Sequence, residues 1–163
     1  MLDDKTTAMV LEALDDEYKA RAFYRLVIKT FGEVRPFINV VQAEDTHAGA
    51  IEALCARHAI PLPPDNWAKT LEPPSSLLEA CRAGVQGELD NIAMYDRFLR
   101  ETKAPDVRAV FLRLQHASRN DHLPAFERCV ARGGDGGQGS GRRSEPASER
   151  QLGQRRRRKR GVS

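Results

Sequence analysis

A chain of 163 residues is long enough for one domain with a full core and short for two. Hydrophobic residues make up 40% and charged residues 30%, a balance that excludes neither a helical nor a mixed fold. The formal charge of +3 hides an uneven distribution: Gly133 to Ser163 carries nine Lys and Arg against three acids, so the rest is mildly acidic. No apolar run nears the roughly 20 residues that span a bilayer, and the opening Met-Leu-Asp-Asp-Lys has no basic region followed by an apolar stretch, so the reading is cytoplasmic. Cys55, Cys81 and Cys129 form no CxxC pair and are odd in number, which predicts reduced, buried core residues rather than a disulfide framework or a zinc ribbon.

Apolar residues recur at helical spacing in four stretches, and strict alternation persists nowhere, so the class is all-α. The first helix runs from about Thr7 to Phe31 with a stripe through Val10, Leu14, Glu17, Tyr24 and Ile28, and Gly32 stops it. The second begins near Pro36, passes through Phe37, Val41, Glu44, His47, Ile51 and Leu54, and ends before Pro61. The third follows a Pro-Pro-Ser-Ser cap, reads Leu77, Cys81, Val85, Glu88, Ile92, Tyr95 and Leu99, and stops near Thr102. Pro105 opens the fourth, whose stripe reads Val107, Phe111, Leu114, Ser118, His122, Ala125 and Cys129 before Gly133 and Gly134. Inside it, Pro124 removes one backbone hydrogen bond and is predicted to bend the helix near His122.

Short connections make the first and second helices, and the third and fourth, antiparallel neighbours. The middle connection differs, because Ile60 to Pro74 spends fifteen residues, five of them proline, on a path that can extend about 45 to 50 Å. A 24-residue helix is about 36 Å long, so this segment can run the length of the bundle and return the third helix parallel to the second. The predicted domain, residues 7–132, is therefore an antiparallel four-helix bundle with one long crossover between helices two and three, the topology of ferritin-like folds. Residues 133–163 are Gly- and Arg-rich with a basic run from Arg155 to Arg160. They are expected to be disordered and to bind nucleic acid or other anions weakly, having no aromatic residues for base stacking.

Each stripe is interrupted by a residue foreign to a dry core: Glu17, then Glu44 with His47, then Glu88, then His122. A buried unpaired carboxylate costs several kcal/mol, so ionisable groups on four core faces call for compensation, and a cation supplies it economically. At about 1.5 Å per residue the five residues fall within a turn or two of one layer. Glu44-Asp45-Thr46-His47 places a carboxylate and an imidazole on one helical face, the i, i+3 unit of di-iron and di-manganese bundles. Mixed carboxylate and imidazole ligation favours iron or manganese over metals that prefer thiolate.

With these residues in view the chain resembles the ferritin-like superfamily, and more closely a bacterial ferritin-like family catalogued as a domain of unknown function. The resemblance runs from about Glu12 to Arg132, on Glu17-Tyr18-Lys19-Ala20-Arg21, Gln42 to His47, Glu88-Leu89-Asp90 and Ala117 to Leu123. It implies Glu17, Glu44, His47, Glu88 and His122 as metal ligands, with iron (one or two ions, manganese as the alternative) as cofactor and a ferroxidase-type oxidation of Fe(II) as the activity. A full six-ligand site would have a glutamate three residues before His122, where this chain has Arg119. Arg119 could pair with Glu17 or Glu88 and neutralise it, while Asp121 could supply the missing oxygen if the helix bends.

A rival reading follows from the same residues: a metal-free helical interaction module whose internal acids are neutralised by Arg119 and Arg21, with the tail engaging a partner or nucleic acid. Tyr24 and Tyr95 are expected to pack in the core, Trp67 to anchor the crossover, and His58 and His116 to lie away from the layer. A homodimer through an exposed apolar helix face fits the architecture.

Overall fold

The computed structural model describes residues 1–135, and the basic tail beyond them lies outside the described residues. Among the described residues the chain is all-helical, with no strand. Helix α1 (Asp4–Phe31) starts three residues earlier than the apolar stripe predicts, because the Asp3 carboxylate accepts a hydrogen bond from the Thr6 N–H at 2.6 Å and caps the first turn. It ends at Gly32, whose φ of 90° lies in the region that glycine tolerates. Helices α2 (Phe37–Arg57) and α3 (Leu77–Glu101) follow, the latter capped by Ser76, whose Oγ accepts from the Glu79 N–H. The fourth predicted helix appears in three pieces: α4 (Pro105–Ala117), a π-helical turn (Ser118–His122) and α5 (Leu123–Ala131).

The π turn has a cause in the sequence. Pro124 lacks an N–H, and its ring crowds the carbonyl four residues back. The helix accommodates it with one wider turn, in which the Leu123 N–H donates to the Ser118 carbonyl five residues earlier. The predicted disturbance near His122 is thus present, as a local widening of the helix.

Side-chain pairs fix the helix directions. Tyr18 with Glu52 and Arg25 with Asp45 run α1 antiparallel to α2. Thr6 with Thr102 and Tyr24 with Glu88 run α1 antiparallel to α3, so α2 and α3 are parallel and the segment between them travels the length of the bundle. Trp67, in a short 3-10 turn of that segment, donates through Nε1 to Asp15 at 2.9 Å, and Arg21 reaches Asp65 at 2.9 Å. The crossover is thereby tied to α1, as Trp67 was expected to do.

Two apolar clusters fill the interior. One gathers Val10, Leu14, Ile51, Phe98, Phe111 and Leu114; the other gathers Val27, Phe37, Phe126, Cys81 and Cys129. The ionisable residues of each helix fall between them in sequence, so the polar layer is sandwiched between two dry ends. Among the described residues no helix is long and apolar enough to cross a membrane.

The cysteines depart from expectation. Cys81 on α3 and Cys129 on α5 form a disulfide with a Cα–Cα distance of 5.9 Å, and Cys55 alone is free and buried. The bonded residues are 48 positions apart, so the pairing comes from helix packing and leaves no local spacing signal. Under denaturing, non-reducing conditions alkylation should add one adduct, at Cys55, and three after reduction; three adducts without reductant would remove the bond. Nearby, Gly84 lets α5 approach α3, since a Cβ there would lie within 2.5 Å of the Phe126 ring. Gly84→Ala should destabilise the fold by about 1 to 3 kcal/mol, seen as a lower denaturation midpoint at unchanged slope.

Candidate metal centre

The five predicted residues meet in one interior layer. Glu17 is 1% exposed, Glu44 and Glu88 are each 3%, His122 is 4% and His47 is 8%. Glu44 lies at the centre: its Oε2 is 3.4 Å from His47 Nδ1 and its Oε1 is 3.1 Å from His122 Nδ1. Glu17 Oε2 approaches His47 Nδ1 at 3.4 Å, and Glu88 Oε1 approaches His122 Nδ1 at 3.5 Å. The two imidazoles stack with ring centres 5.3 Å apart. Each end of the layer therefore holds one histidine and one glutamate of its own, and both share Glu44.

These approaches are not aligned hydrogen bonds. Glu17 Oε2, His47 Nδ1 and His122 Nδ1 are buried with no hydrogen-bond partner, an arrangement that native interiors avoid. An ion about 2.1 Å from each donor would hold neighbouring donors roughly 3.0 to 3.4 Å apart, at octahedral or tetrahedral angles. The observed separations resemble adjacent corners of a coordination sphere. Glu44, His47 and His122 present donor atoms that all lie within 4.8 Å of one another, and this buried cluster can hold a metal ion.

A second ring of residues fixes the acids. Tyr95 Oη donates to Glu17 Oε1 at 2.7 Å, and Tyr24 Oη donates to Glu88 Oε1 at 2.9 Å. Both tyrosines were expected to serve in core packing, and they do, but each hydroxyl also pins a carboxylate. The sequence carried a signal for this: Tyr24 follows Glu17 by seven residues and Tyr95 follows Glu88 by seven, the spacing that returns to one helical face after two turns. Asn91 extends the ring, donating through Nδ2 to Asp16 at 2.7 Å and accepting from Ser118 Oγ at 2.8 Å. Ser118 opens the π turn, so this contact ties the widened helix to α3. Ser118 lies on the stripe read from the sequence, though no partner was assigned to it; Asp16 and Asn91 were missed because nothing in the sequence marks a polar residue on a stripe edge as inward-facing.

Other expectations fail. Arg119 turns away from the layer to Asp96, 3.3 Å away at the surface, and Arg21 pairs with Asp45 and Asp65. Neither arginine neutralises an interior acid, so any compensation in the absence of metal falls to the two histidines. Asp121 is exposed and does not replace the missing carboxylate: widening the helix at Ser118 to His122 aims His122 inward and leaves Asp121 on the outer face. His58 bonds Asp106 at 2.8 Å and His116 is exposed, both away from the layer as predicted.

Electrostatics follow from the burial. Burial, reinforced by the charge of Glu44, pushes the Glu17 carboxyl up to about 7, and burial pushes Asp16 up to about 6. Burial alone would lower both histidines, but Glu17 and Glu44 raise His47 to about 9, and Glu44 and Glu88 raise His122 to about 10. Burial would raise Glu44, yet the two imidazoles between which it lies hold it below its ordinary value. Burial drives Tyr24 and Tyr95 well above the usual phenol range, so both remain hydrogen-bond donors.

No protein-family profile matches the chain. It is 26% identical to the uncharacterized protein MJ0754 of Methanocaldococcus jannaschii, with 74% of this chain and 72% of the relative covered. The crystal structure of the hypothetical protein MJ0754 superposes with a TM-score of 0.74 at 23% identity, covering 82% of this chain and 84% of the other. That likeness shows a shared helical-bundle fold.

The histidine shifts set a pH dependence. Groups whose folded values are raised stabilise the fold fully below their unfolded value of 6.5, and that contribution is lost as pH climbs through about 9 for His47 and about 10 for His122. Glu17, raised from 4.5 to about 7, acts in the same direction at lower pH. The melting temperature of metal-stripped protein should therefore fall between pH 6.5 and 10, and Glu44→Gln, which removes a cause of both histidine shifts, should flatten the fall. An equally steep fall in the variant would contradict the coupling.

Proposed function

We propose that the protein is a ferritin-like metal-binding protein that takes up iron in the interior layer, with Glu17, Glu44, His47, Glu88 and His122 as ligands and manganese as the alternative metal. One observation carries the reading: three buried donor atoms without hydrogen-bond partners converge on the two sides of Glu44. The parallel α2 and α3 with a long connection between them support the ferritin-like arrangement. Glu44 would span two ion positions through its two oxygens, while Glu17 with His47 and Glu88 with His122 close the ends.

The reading extends to oxidation of Fe(II). In a ferroxidase-type step two Fe(II) ions give one electron each to dioxygen, which takes up two protons and leaves as hydrogen peroxide. Because position 119 is an arginine and not a glutamate, and its side chain pairs with Asp96 at the surface, a bound ion would have one protein carboxylate fewer and positions open to small molecules. The bonds from Tyr95 and Tyr24 keep Glu17 and Glu88 oriented, as partners of metal ligands do elsewhere.

An anaerobic Fe(II) titration tests the proposal. Wild type should bind Fe(II) and gain thermal stability from it. His47→Ala should lose uptake, and Tyr95→Phe should weaken it roughly 10- to 100-fold. Equal uptake by wild type and His47→Ala would remove the site. A melting temperature indifferent to both Fe(II) and Mn(II) would return the protein to the metal-free helical module.

A further inference from the structure

A cavity of about 350 Å³ opens between α1 and α3. Its walls are apolar, built from Ala20, Phe23, Ala83 and the crossover residue Leu71, and its charged lining is Asp16, Glu44, Glu88 and Asp90 against a single Lys19. Glu44 and Glu88 are the two acids that face His122, at 3.1 and 3.5 Å, whereas Glu17 and both histidines are absent from the lining. The cavity therefore reaches the layer at one end. The Nδ1 atom of His122, buried and without a hydrogen-bond partner, is aimed at those same floor acids.

Asp16 has no role in the layer itself. It is partly buried, its carboxylate accepts from Asn91 Nδ2 at 2.7 Å, and no ion pair holds it among the described residues. Lys19, the one basic group of the lining, has its ammonium over the Trp67 ring at 5.3 Å. Gly87 sits at the mouth, where a Cβ would meet nothing within 4 Å. A glycine inside a helix costs about 0.5 to 1 kcal/mol relative to alanine, and here, unlike at Gly84, no close packing requires it. Its effect is to leave the opening clear.

Taking the metal-binding reading as given, we propose that this cavity is the route by which a hydrated divalent cation enters, that Asp16 is the carboxylate that passes it inward, and that the Glu44, Glu88 and His122 end fills first. Charge and size agree. A cleft lined by one sign of charge with apolar walls focuses its field and raises the on-rate of a counter-ion by about 10- to 1,000-fold. Six waters occupy roughly 180 Å³ at their share of liquid volume, so an ion with its hydration shell fits within about 350 Å³. Asp16 then replaces part of that shell before the floor acids complete the exchange.

Stopped-flow uptake of Co(II), read by its ligand-field absorption, tests the route separately from the site. Gly87→Phe, which plugs the mouth, should slow uptake at least about tenfold and reach the wild-type end point. Asp16→Asn should slow it and weaken its dependence on ionic strength. The fast phase should vanish in His122→Ala, whereas His47→Ala should keep it and lose only the slower uptake at the Glu17 and His47 end, so that its total uptake still falls below wild type. If Gly87→Phe loses helicity, Ala83→Phe, one turn earlier on the same face of α3 and lining the same cavity, carries the same expectation. Unchanged rates in the plugged and Asp16→Asn proteins, with normal end points, would overturn the route and leave the site standing. No Co(II) bound by wild type at equilibrium would overturn both.

Discussion

A carboxylate held between two imidazoles in the middle of the bundle governs the rest of the structure. Glu44 offers one oxygen to His47 and the other to His122, and it does so while itself only 3% exposed. Three acids buried so closely repel one another and forfeit much of their hydration, a penalty of several kcal/mol per unpaired charge. In the metal-free protein protons offset that penalty, since the acids raise both histidines and burial raises the Glu17 carboxyl. A cation held by Glu44, His47 and His122, whose donor atoms lie within 4.8 Å of one another, could do the same. The apolar clusters above and below the layer matter chiefly because they hold this arrangement dry and fixed.

The layer has an internal two-fold logic. Glu17 and Tyr24 on α1 are matched by Glu88 and Tyr95 on α3, and each tyrosine bonds the other helix's acid. Glu44 with His47 on α2 is matched by Arg119 with His122, three residues apart in both cases. The correspondence breaks at Arg119, which turns to Asp96 at the surface, and the π turn forced by Pro124 lies at the same place. The broken half is also the half onto which the α1–α3 cavity opens. The two ends of the centre are therefore distinct: one is formed by Glu17, Tyr95 and His47, and the other by Glu88, Tyr24 and His122, of which Glu88 and Tyr24 line the cavity.

Much of this was legible from residue spacing. Helical periodicity located all four predicted helices to within a few residues, since long amphipathic stripes leave little freedom of assignment. The proline-rich crossover gave the parallel pairing of α2 and α3, and charged residues interrupting four stripes gave the five members of the layer. What escaped the sequence depends on contacts between helices. The Cys81–Cys129 bond joins two stripes whose relative height no spacing rule reports. The inward turn of Asp16 and Asn91 depends on a few degrees of helix rotation, and Arg119 is turned outward by the packing that aims His122 inward. The tyrosines were placed at the right height but read as packing alone, because a hydroxyl's partner is set by rotamer.

The central claim is that the layer is built around metal. Diffraction from crystals soaked anaerobically in Mn(II), recorded on both sides of the manganese absorption edge, would locate the ion directly. The account predicts anomalous density between Glu44 and each histidine, with His47 and His122 Nδ1 at bonding distance and little movement of α1 to α3. A layer without anomalous density, in which the histidines close instead into hydrogen bonds with Glu17, Glu44 and Glu88, would contradict it.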